Sequence, residues 1–225
     1  HALVLHRRHA ARIHGLRHER DRDSQVRRIL DRPFPRPLLA RRVEDLLHQG
    51  GPFLILESED HMKARGATPL AEFKGYGASG GAYNAVTPRP EGDDLVDAMR
   101  KALRDAGLGA EQIDLINPHG TGTQLNDEAE ELALLKIFGE RASQIPVTPT
   151  KQLTGHLLGA AAALESVHAV LSIAKSFVTP VAYHNGGGAL RILKGQGEAR
   201  PIRNVLKNSF GFGNNNATLV FGACQ

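Results

Sequence analysis

Residues 116–129 read INPHGTGTQLNDEA. His119 stands directly before a turn that alternates glycine with threonine, and an acidic, helix-forming stretch follows. The residues leading in, 113–116, are short and apolar and read as a strand. A strand that runs through such a turn into a helix is the repeating step of an α/β sheet, and functional groups collect beyond the ends of such strands. Gly120 and Gly122 allow close approach of a ligand to the backbone. Thr121 and Thr123 offer hydroxyls.

The rest of the chain from Pro52 onward follows the same grammar. The stretch FLILESEDHMKARGA begins as an apolar run, turns into a helix pattern and closes at Gly66. Residues 70–79, LAEFKGYGAS, alternate and end in glycine, which predicts a strand. Apolar residues at 95, 96, 99, 103 and 106 lie on one helical face across residues 93–106, and Gly107 stops that helix. Asn126 or Asp127 is expected to cap the next helix, which runs to about Phe138 and ends at Gly139. Residues 146–150 read as a short strand. Residues 157–175 form an Ala-rich helix that is apolar on most sides and therefore buried. Residues 205–208 and 217–221 read as two strands around the loop FGFGNNN. Strands alternate with helices, so the fold class is α/β, and no repeat at solenoid spacing interrupts it.

The bulk numbers fit this picture. With 225 residues the chain can bury a real core, and its 41% hydrophobic and 23% charged content is that of a globular protein. No uninterrupted apolar run of membrane-spanning length is evident, so no membrane span is expected. No secretory leader is evident either. Cys224 is the single cysteine, which leaves no intrachain disulfide and suits a reducing, cytoplasmic setting.

The net charge of +4 is unevenly spread. Residues 1–50 hold twelve Arg, no Lys and six Asp plus Glu, a net of +6, which leaves −2 on the remaining 175. A basic first quarter is compatible with a nucleic-acid arm. Its arginines alternate with acids, as in ERDRD at 19–23, and no aromatics interleave them, so no nucleic-acid partner is expected. The segment begins with His1 and is set apart as an atypical Arg/His-rich stretch. It is read as a natural basic extension, a diverged or disordered segment, or text read in the wrong frame from GC-rich DNA. Residues 51–225 form the folded domain.

Three strand-to-loop transitions carry the chemistry. They are PHGTGT with His119, TKQLTGHLLGA with Lys151 and His156, and NSFGFGNNN with Phe210 and Phe212. Any one of them alone is an ordinary turn; all three, in order and at strand ends, argue for a shared site. His156 precedes a long helix, near its free N–H groups and partial positive charge. Two neutral imidazoles, each donating an N–H, can grip one thioester carbonyl oxygen. A lysine nearby orients such a site and disfavours a second positive charge on the rings.

These residues resemble the C-terminal half of a β-ketoacyl-[acyl-carrier-protein] synthase, the type II elongating condensing enzyme. The likeness runs through LILESEDHMKARGA, GYGASGGAYN, ALRDAGL, INPHGTGTQLNDEAE, TPTKQLTGHLLGAAAALES and NSFGFGNNNATLVFG. It implies a thiolase-like fold whose C-terminal half is a mixed five-stranded sheet with helices on both faces, usually in a homodimer. It implies that His119 and His156 are the histidines of a Cys-His-His triad and that Lys151 is the lysine of the Lys-x-x-x-x-His motif. By the same likeness Glu165 and Asp127 are supporting acids, Thr121 and Thr123 contact the pantetheine arm, and Phe210 gates the nucleophile, with Phe212 beside it.

The implied partners are an acyl carrier protein bearing acyl and malonyl groups and a second synthase subunit. No metal and no redox cofactor is implied. The implied reaction moves an acyl group to the cysteine, releases CO2 from malonyl-carrier protein, and joins the two to add two carbons. That cysteine belongs to the family's N-terminal half, so this chain alone is expected to be inactive. Asn214 stands where the family has glycine. A non-catalytic partner subunit, like the chain-length factors of polyketide systems, is the alternative, and retention of both histidines and the lysine argues against it. A thiolase is a weaker third reading, since its motif set differs.

Overall fold

The computed structural model describes residues 3–7, 51–181 and 188–224. Apart from residues 3–7, the Arg/His-rich segment 1–50 lies outside the described residues.

An eight-stranded mixed sheet organises the chain. Its strands are β1 (Leu3–Arg7), β2 (Leu54–Ser58), β3 (Ala71–Gly80), β4 (Leu115–Asn117), β5 (Pro146–Val147), β7 (Arg191–Ile192), β9 (Asn204–Gly211) and β10 (Asn215–Gly222), in the order β2-β1-β3-β10-β9-β4-β5-β7. A separate antiparallel pair joins β6 (Phe177–Val178) to β8 (Glu198–Ala199). The expected five-stranded mixed sheet is the central run β3-β10-β9-β4-β5. At one edge β1 lies parallel to both β2 and β3, and at the other β7 lies parallel to β5, which widens the sheet to eight. β10 is antiparallel to β3 and β9, whereas β4 is parallel to β9 and β5.

The longer helices are α1 (Glu59–Ala64), α2 (Asp93–Ala106), α3 (Gln124–Phe138) and α4 (Ala161–Lys175), and a single helical turn over Lys151–Thr154 begins at Lys151. α2 matches its sequence pattern from end to end. Asp93 and Asp94 sit in the first turn, where the helix dipole favours acids. Gly107 closes it at φ 64, a left-handed conformation that glycine adopts without penalty. α3 starts earlier than the expected cap at Asn126 or Asp127, with Thr123 as its N-cap. The reason lies in the turn: Gly120 and Gly122 take positive φ, which reverses the chain soon enough for helix to begin at Gln124. Asp127 thus falls inside the first turn and accepts from the N–H of Gly122 at 3.3 Å. The long apolar helix is also divided, with a 3-10 turn over Leu158–Ala160 before α4.

Helices cover both faces, as alternation along the strands requires. Leu206, Val220 and Ile116 pack with Leu95, Met99 and Leu134 from α2 and α3. Their neighbours Val205, Phe221 and Leu115 pack on the opposite side with Ala169, Val170 and Ile173 of α4. Each such side chain contributes roughly 1.5–3 kcal/mol by leaving water. α2 approaches β3 very closely. A Cβ on Gly77 would lie 2.1 Å from the carbonyl oxygen of Ala98, and one on Gly75 would lie 2.5 Å from that of Ala102. The GYG of β3 is therefore a seat for the small-residue face of α2.

The segment Leu158–Lys175, at mean hydropathy 1.2, is long and apolar enough to cross a membrane by composition alone, contrary to the reading of the sequence as free of such a run. Only one side of it is in the core: 39% of the segment is buried, with Ala161, Glu165, Ala169, Val170 and Ile173 facing inward while Leu158 and Leu171 are exposed, so the expectation of a helix buried on most sides holds for one face only. Because β4, β5 and β9 run parallel, the loops that follow them emerge at one edge of the sheet.

Candidate active site

The three loops meet at that edge. The rings of His119 and His156 lie 5.7 Å apart between centroids and nearly perpendicular, at 82°. Phe210, at the end of β9, packs its ring 5.7 Å from that of His119. His119 is buried and His156 half-buried.

Each imidazole has its Nδ1 occupied. The Lys151 ammonium approaches Nδ1 of His119 at 3.2 Å and also donates to the His119 main-chain carbonyl. The Leu158 amide donates to Nδ1 of His156 at 3.1 Å. An ammonium and an amide are donors only, so both Nδ1 atoms accept and both Nε2 atoms carry the hydrogen. Burial pushes His119 down to about 2, with the charges of Lys151, His156 and Lys207 adding to the effect. Burial likewise lowers His156, helped by Lys151 and opposed by Glu165. Both rings are therefore neutral N–H donors near neutral pH.

Main-chain anchoring of His119 falls to Glu130 in α3. Its carboxylate accepts from the N–H of His119 and of Gly120, each at 2.9 Å, and from the side-chain amide of Asn208 at 3.0 Å. Asn208 is in turn held by the Thr218 hydroxyl at 2.8 Å across the β9–β10 ladder. Burial raises the Glu130 carboxyl, and the three donors lower it in opposition. Asn117 ties the ends of β4 and β5 together by donating to the Thr148 carbonyl at 2.8 Å.

On the α4 face, Glu165 is buried and ion-paired with Lys151 through one oxygen and with Lys207 through the other, the latter at 3.0 Å. Lys207 is fully buried, and its burial lowers its ammonium below the ordinary lysine value while Glu165 opposes the shift.

Of the residues singled out in the sequence, His119, His156, Lys151, Glu165 and Phe210 come together here. Thr121 and Thr123 are at the rim, with their hydroxyls 2.8 Å apart. Asp127 is exposed and holds the Gly122 N–H, one turn short of the role Glu130 takes. Phe212 is 74% exposed on the turn between β9 and β10, apart from the buried Phe210. Sequence reasoning missed Glu130, Asn208 and Lys207. A signal existed for Lys207: a lysine in the middle of a strand pattern needs a buried counter-charge. Among the described residues no group of three His, Cys, Asp or Glu side chains is placed to hold a metal ion.

The chain has relatives among known proteins. Residues 70–184 match the family model described as the β-ketoacyl synthase C-terminal domain. The chain is 40% identical over 178 residues to 3-oxoacyl-[acyl-carrier-protein] synthase 2 of Coxiella burnetii, covering 78% of this chain and 43% of that protein. It is 37% identical to nodulation protein E of a Rhizobium species (strain N33), covering 88% of this chain and 49% of that protein. Among solved structures it resembles one chain of the complex described as AntDE:AntF (apo), a type II PKS acyl-carrier protein with its ketosynthase bound to the hexaketide. The TM-score is 0.73 at 32% identity, over 84% of this chain and 51% of that one. The chain thus spans about half the length of the curated relatives it matches, and its fold is the C-terminal half of a thiolase-like architecture. With two imidazoles, a lysine and a buried glutamate converging at one sheet edge, the chain belongs to the β-ketoacyl synthase family.

Proposed function

We propose that this chain supplies the thioester-gripping half of a decarboxylating condensation site in fatty-acid or polyketide chain elongation. The observation that carries the reading is the pair of imidazoles 5.7 Å apart, both with Nδ1 engaged from behind, so that two Nε2–H groups are free to face one carbonyl oxygen. When a malonyl thioester loses CO2, the electron pair of the breaking C–C bond moves onto that oxygen as an enolate. Two fixed donors in a water-poor site stabilise the developing charge and need no reorganisation. The enolate carbon then attacks an acyl thioester, forms the new C–C bond and expels the thiolate.

The thiolate has to come from outside this chain. Cys224, its single cysteine, follows β10 at the sheet edge opposite the imidazoles, beyond the pairing of Gly222 with Asn204. The chain by itself is therefore inactive in condensation. Lys151 and Glu165 hold His119, Asp127 supports the turn, and Thr121 and Thr123 at the rim receive the pantetheine arm of an acyl carrier protein. Phe210, packed on His119, forms a wall. Phe210 is the gating residue, and Phe212, two residues on, is exposed at the β9–β10 turn. A second synthase subunit completes the assembly, and a carrier-bound substrate with a reduced thiol fits the cytoplasm.

The test is release of CO2 from malonyl-carrier protein by the protein that carries this chain. Loss of that release on replacing both histidines by alanine is expected; an undiminished rate in the double variant overturns the reading. This chain alone, given malonyl-CoA and acyl-carrier protein, is expected to give no elongated product, and product above blank refutes its inactivity.

A further inference from the structure

We propose that Lys207 is a positioning residue for this site, holding the Glu165 carboxylate between two ammonium groups and so keeping Lys151 on His119. The inference rests on the reading of His119 as a neutral Nε2–H donor.

The Lys151 ammonium has three hydrogens, and it has three acceptors: the carbonyl oxygen of His119, its Nδ1, and one oxygen of Glu165. It has no hydrogen left for the other oxygen of Glu165. A buried carboxylate oxygen without a counter-charge beside it is costly, and the group would turn to share Lys151 between both oxygens. The Lys207 ammonium lies 3.0 Å from that second oxygen as its counter-charge, an ion pair without an aligned hydrogen bond. It is held there by its own fully buried position in β9 and by donation to the Ser209 hydroxyl.

The strand dictates this placement. Val205 packs on the α4 side and Leu206 on the other, so alternation turns Lys207 toward the α4 face, where Glu165 resides, and Asn208 toward Glu130. Four buried ionisable groups then balance, with Lys151 and Lys207 against Glu165 and Glu130. Removing Lys207 would leave the set one positive charge short. Lys151 would then be drawn fully onto Glu165 and away from Nδ1 of His119.

The experiment compares Lys207→Met, which keeps the apolar stem, with Lys207→Arg, in the protein that carries this chain. The primary readout is the His119 tautomer, read from imidazole 15N shifts at neutral pH. The second is the kcat and KM of CO2 release from malonyl-carrier protein. For a folded Lys207→Met variant, the expected results are a mixture of His119 tautomers and a roughly 10-fold lower kcat at unchanged KM, as for the partial loss of one transition-state donor. Lys207→Arg is expected to restore the single tautomer. A folded Lys207→Met variant with His119 wholly in the Nε2–H form overturns the proposal.

Should Lys207→Met fail to fold, the double variant Glu165→Gln/Lys207→Met removes one charge of each sign and keeps the set balanced. With the carboxylate charge that would draw Lys151 away also gone, it is expected to keep the single Nε2–H tautomer, and mixed tautomers there overturn the proposal. If wild type shows the single tautomer but releases no CO2, the catalytic reading fails while the positioning role of Lys207 stands on the tautomer result.

Discussion

Lys151 reaches Nδ1 of His119 at 3.2 Å, and the ring of His156 lies 5.7 Å from that of His119. The lysine contact fixes where the His119 ring hydrogen resides, and the Leu158 amide does the same for His156. One neutral imidazole can donate from either nitrogen; a ring whose Nδ1 already accepts can donate only from Nε2. The pair is thus set as two donors before any substrate arrives.

Loss of either donor has a definite cost. His119→Ala and His156→Ala are each expected to slow CO2 release from malonyl-carrier protein by about 10²–10³-fold, equivalent to about 2.7–4 kcal/mol. The two rings act on one oxygen, so the double variant loses less than the product of the single effects. Steady-state rates for the two single variants and the double variant check this. Strict multiplicativity would mean that the rings act at separate steps.

The depressed His119 also leaves a mark on stability. The ring is pushed down to about 2 from an ordinary 6.5, so on acidification below 6.5 the unfolded chain takes up a proton that the folded one refuses. The unfolded state then binds more protons, and stability falls with falling pH by about 1.4 kcal/mol per pH unit for this one group. Above 6.5 both states are neutral at this position and the contribution is flat. His156 and His168, also lowered by burial, act in the same sense. Glu130, raised by burial, acts in the opposite sense as pH falls through its folded value. Urea unfolding of wild type and His119→Gln from pH 7 to pH 5 is expected to show a shallower acid limb in the variant. Equal slopes would mean that the His119 ring takes up its proton in the folded state.

Glu130 is a stricter test of the loop that presents His119. Its two oxygens receive the N–H groups of His119 and Gly120. In Glu130→Gln one of those oxygens becomes an amide nitrogen that faces a donor with a donor. An unsatisfied buried group costs about 1–3 kcal/mol, and in a chain of this size about 1 kcal/mol moves Tm by roughly 2–4 °C. A fall of several degrees is expected, with a weaker loss in Asp127→Asn, whose carboxylate is exposed and serves the Gly122 N–H at 3.3 Å. Equal losses would place the anchoring on both acids.

The contrast between these two acids shows what was legible in the sequence. α2 was readable from end to end because its information is local: a 3.6-residue stripe, acids at its start and a glycine at its end. His119, Lys151 and His156 were readable because parallel strands send successive loops to one edge. Glu130 and Asp127 are both acids of one helix start, and only the turn between His119 and Thr123 decides which of them faces the backbone. Lys207 and Glu165 come from distant parts of the chain, so no local pattern could pair them. Phe210 and Phe212 are two apart and would share a face on a continuing strand. β9 ends at Gly211, so one is buried and the other exposed.

The seat of α2 on β3 is equally open to test. An added methyl at Gly77 would meet the Ala98 carbonyl oxygen at 2.1 Å and the Ala102 nitrogen at 2.4 Å, both main-chain atoms that cannot rotate aside. Gly77→Ala is expected to destabilise by about 3 kcal/mol or more, the upper range for overpacking. Gly66, with open space around its Cβ position but φ +65, is expected to tolerate alanine at a cost of roughly 1–2 kcal/mol from backbone conformation alone. Chemical denaturation of the two variants separates steric exclusion from conformational cost.

Asn214 separates the same two effects within one residue. It holds φ 55 in the β9–β10 turn, where an L-residue other than Asn or Asp is strained. Its side chain donates to the Asn84 carbonyl at 2.8 Å, while its own side-chain oxygen is buried without a partner. The turn is also tied by its backbone, because the Gly81 N–H donates to the Asn214 carbonyl at 3.2 Å and the Gly213 N–H to the Ala85 carbonyl at 2.8 Å. Asn214→Gly loses one hydrogen bond, relieves one orphaned oxygen and meets the left-handed conformation without strain, so its stability is expected to stay within about 1 kcal/mol of wild type. Asn214→Ala loses the same bond and adds the left-handed penalty, for a total of about 2–3 kcal/mol. Urea midpoints of the two variants decide between backbone and side chain: if glycine costs as much as alanine, the bond to Asn84 and not the conformation is what holds this turn against the 81–87 loop.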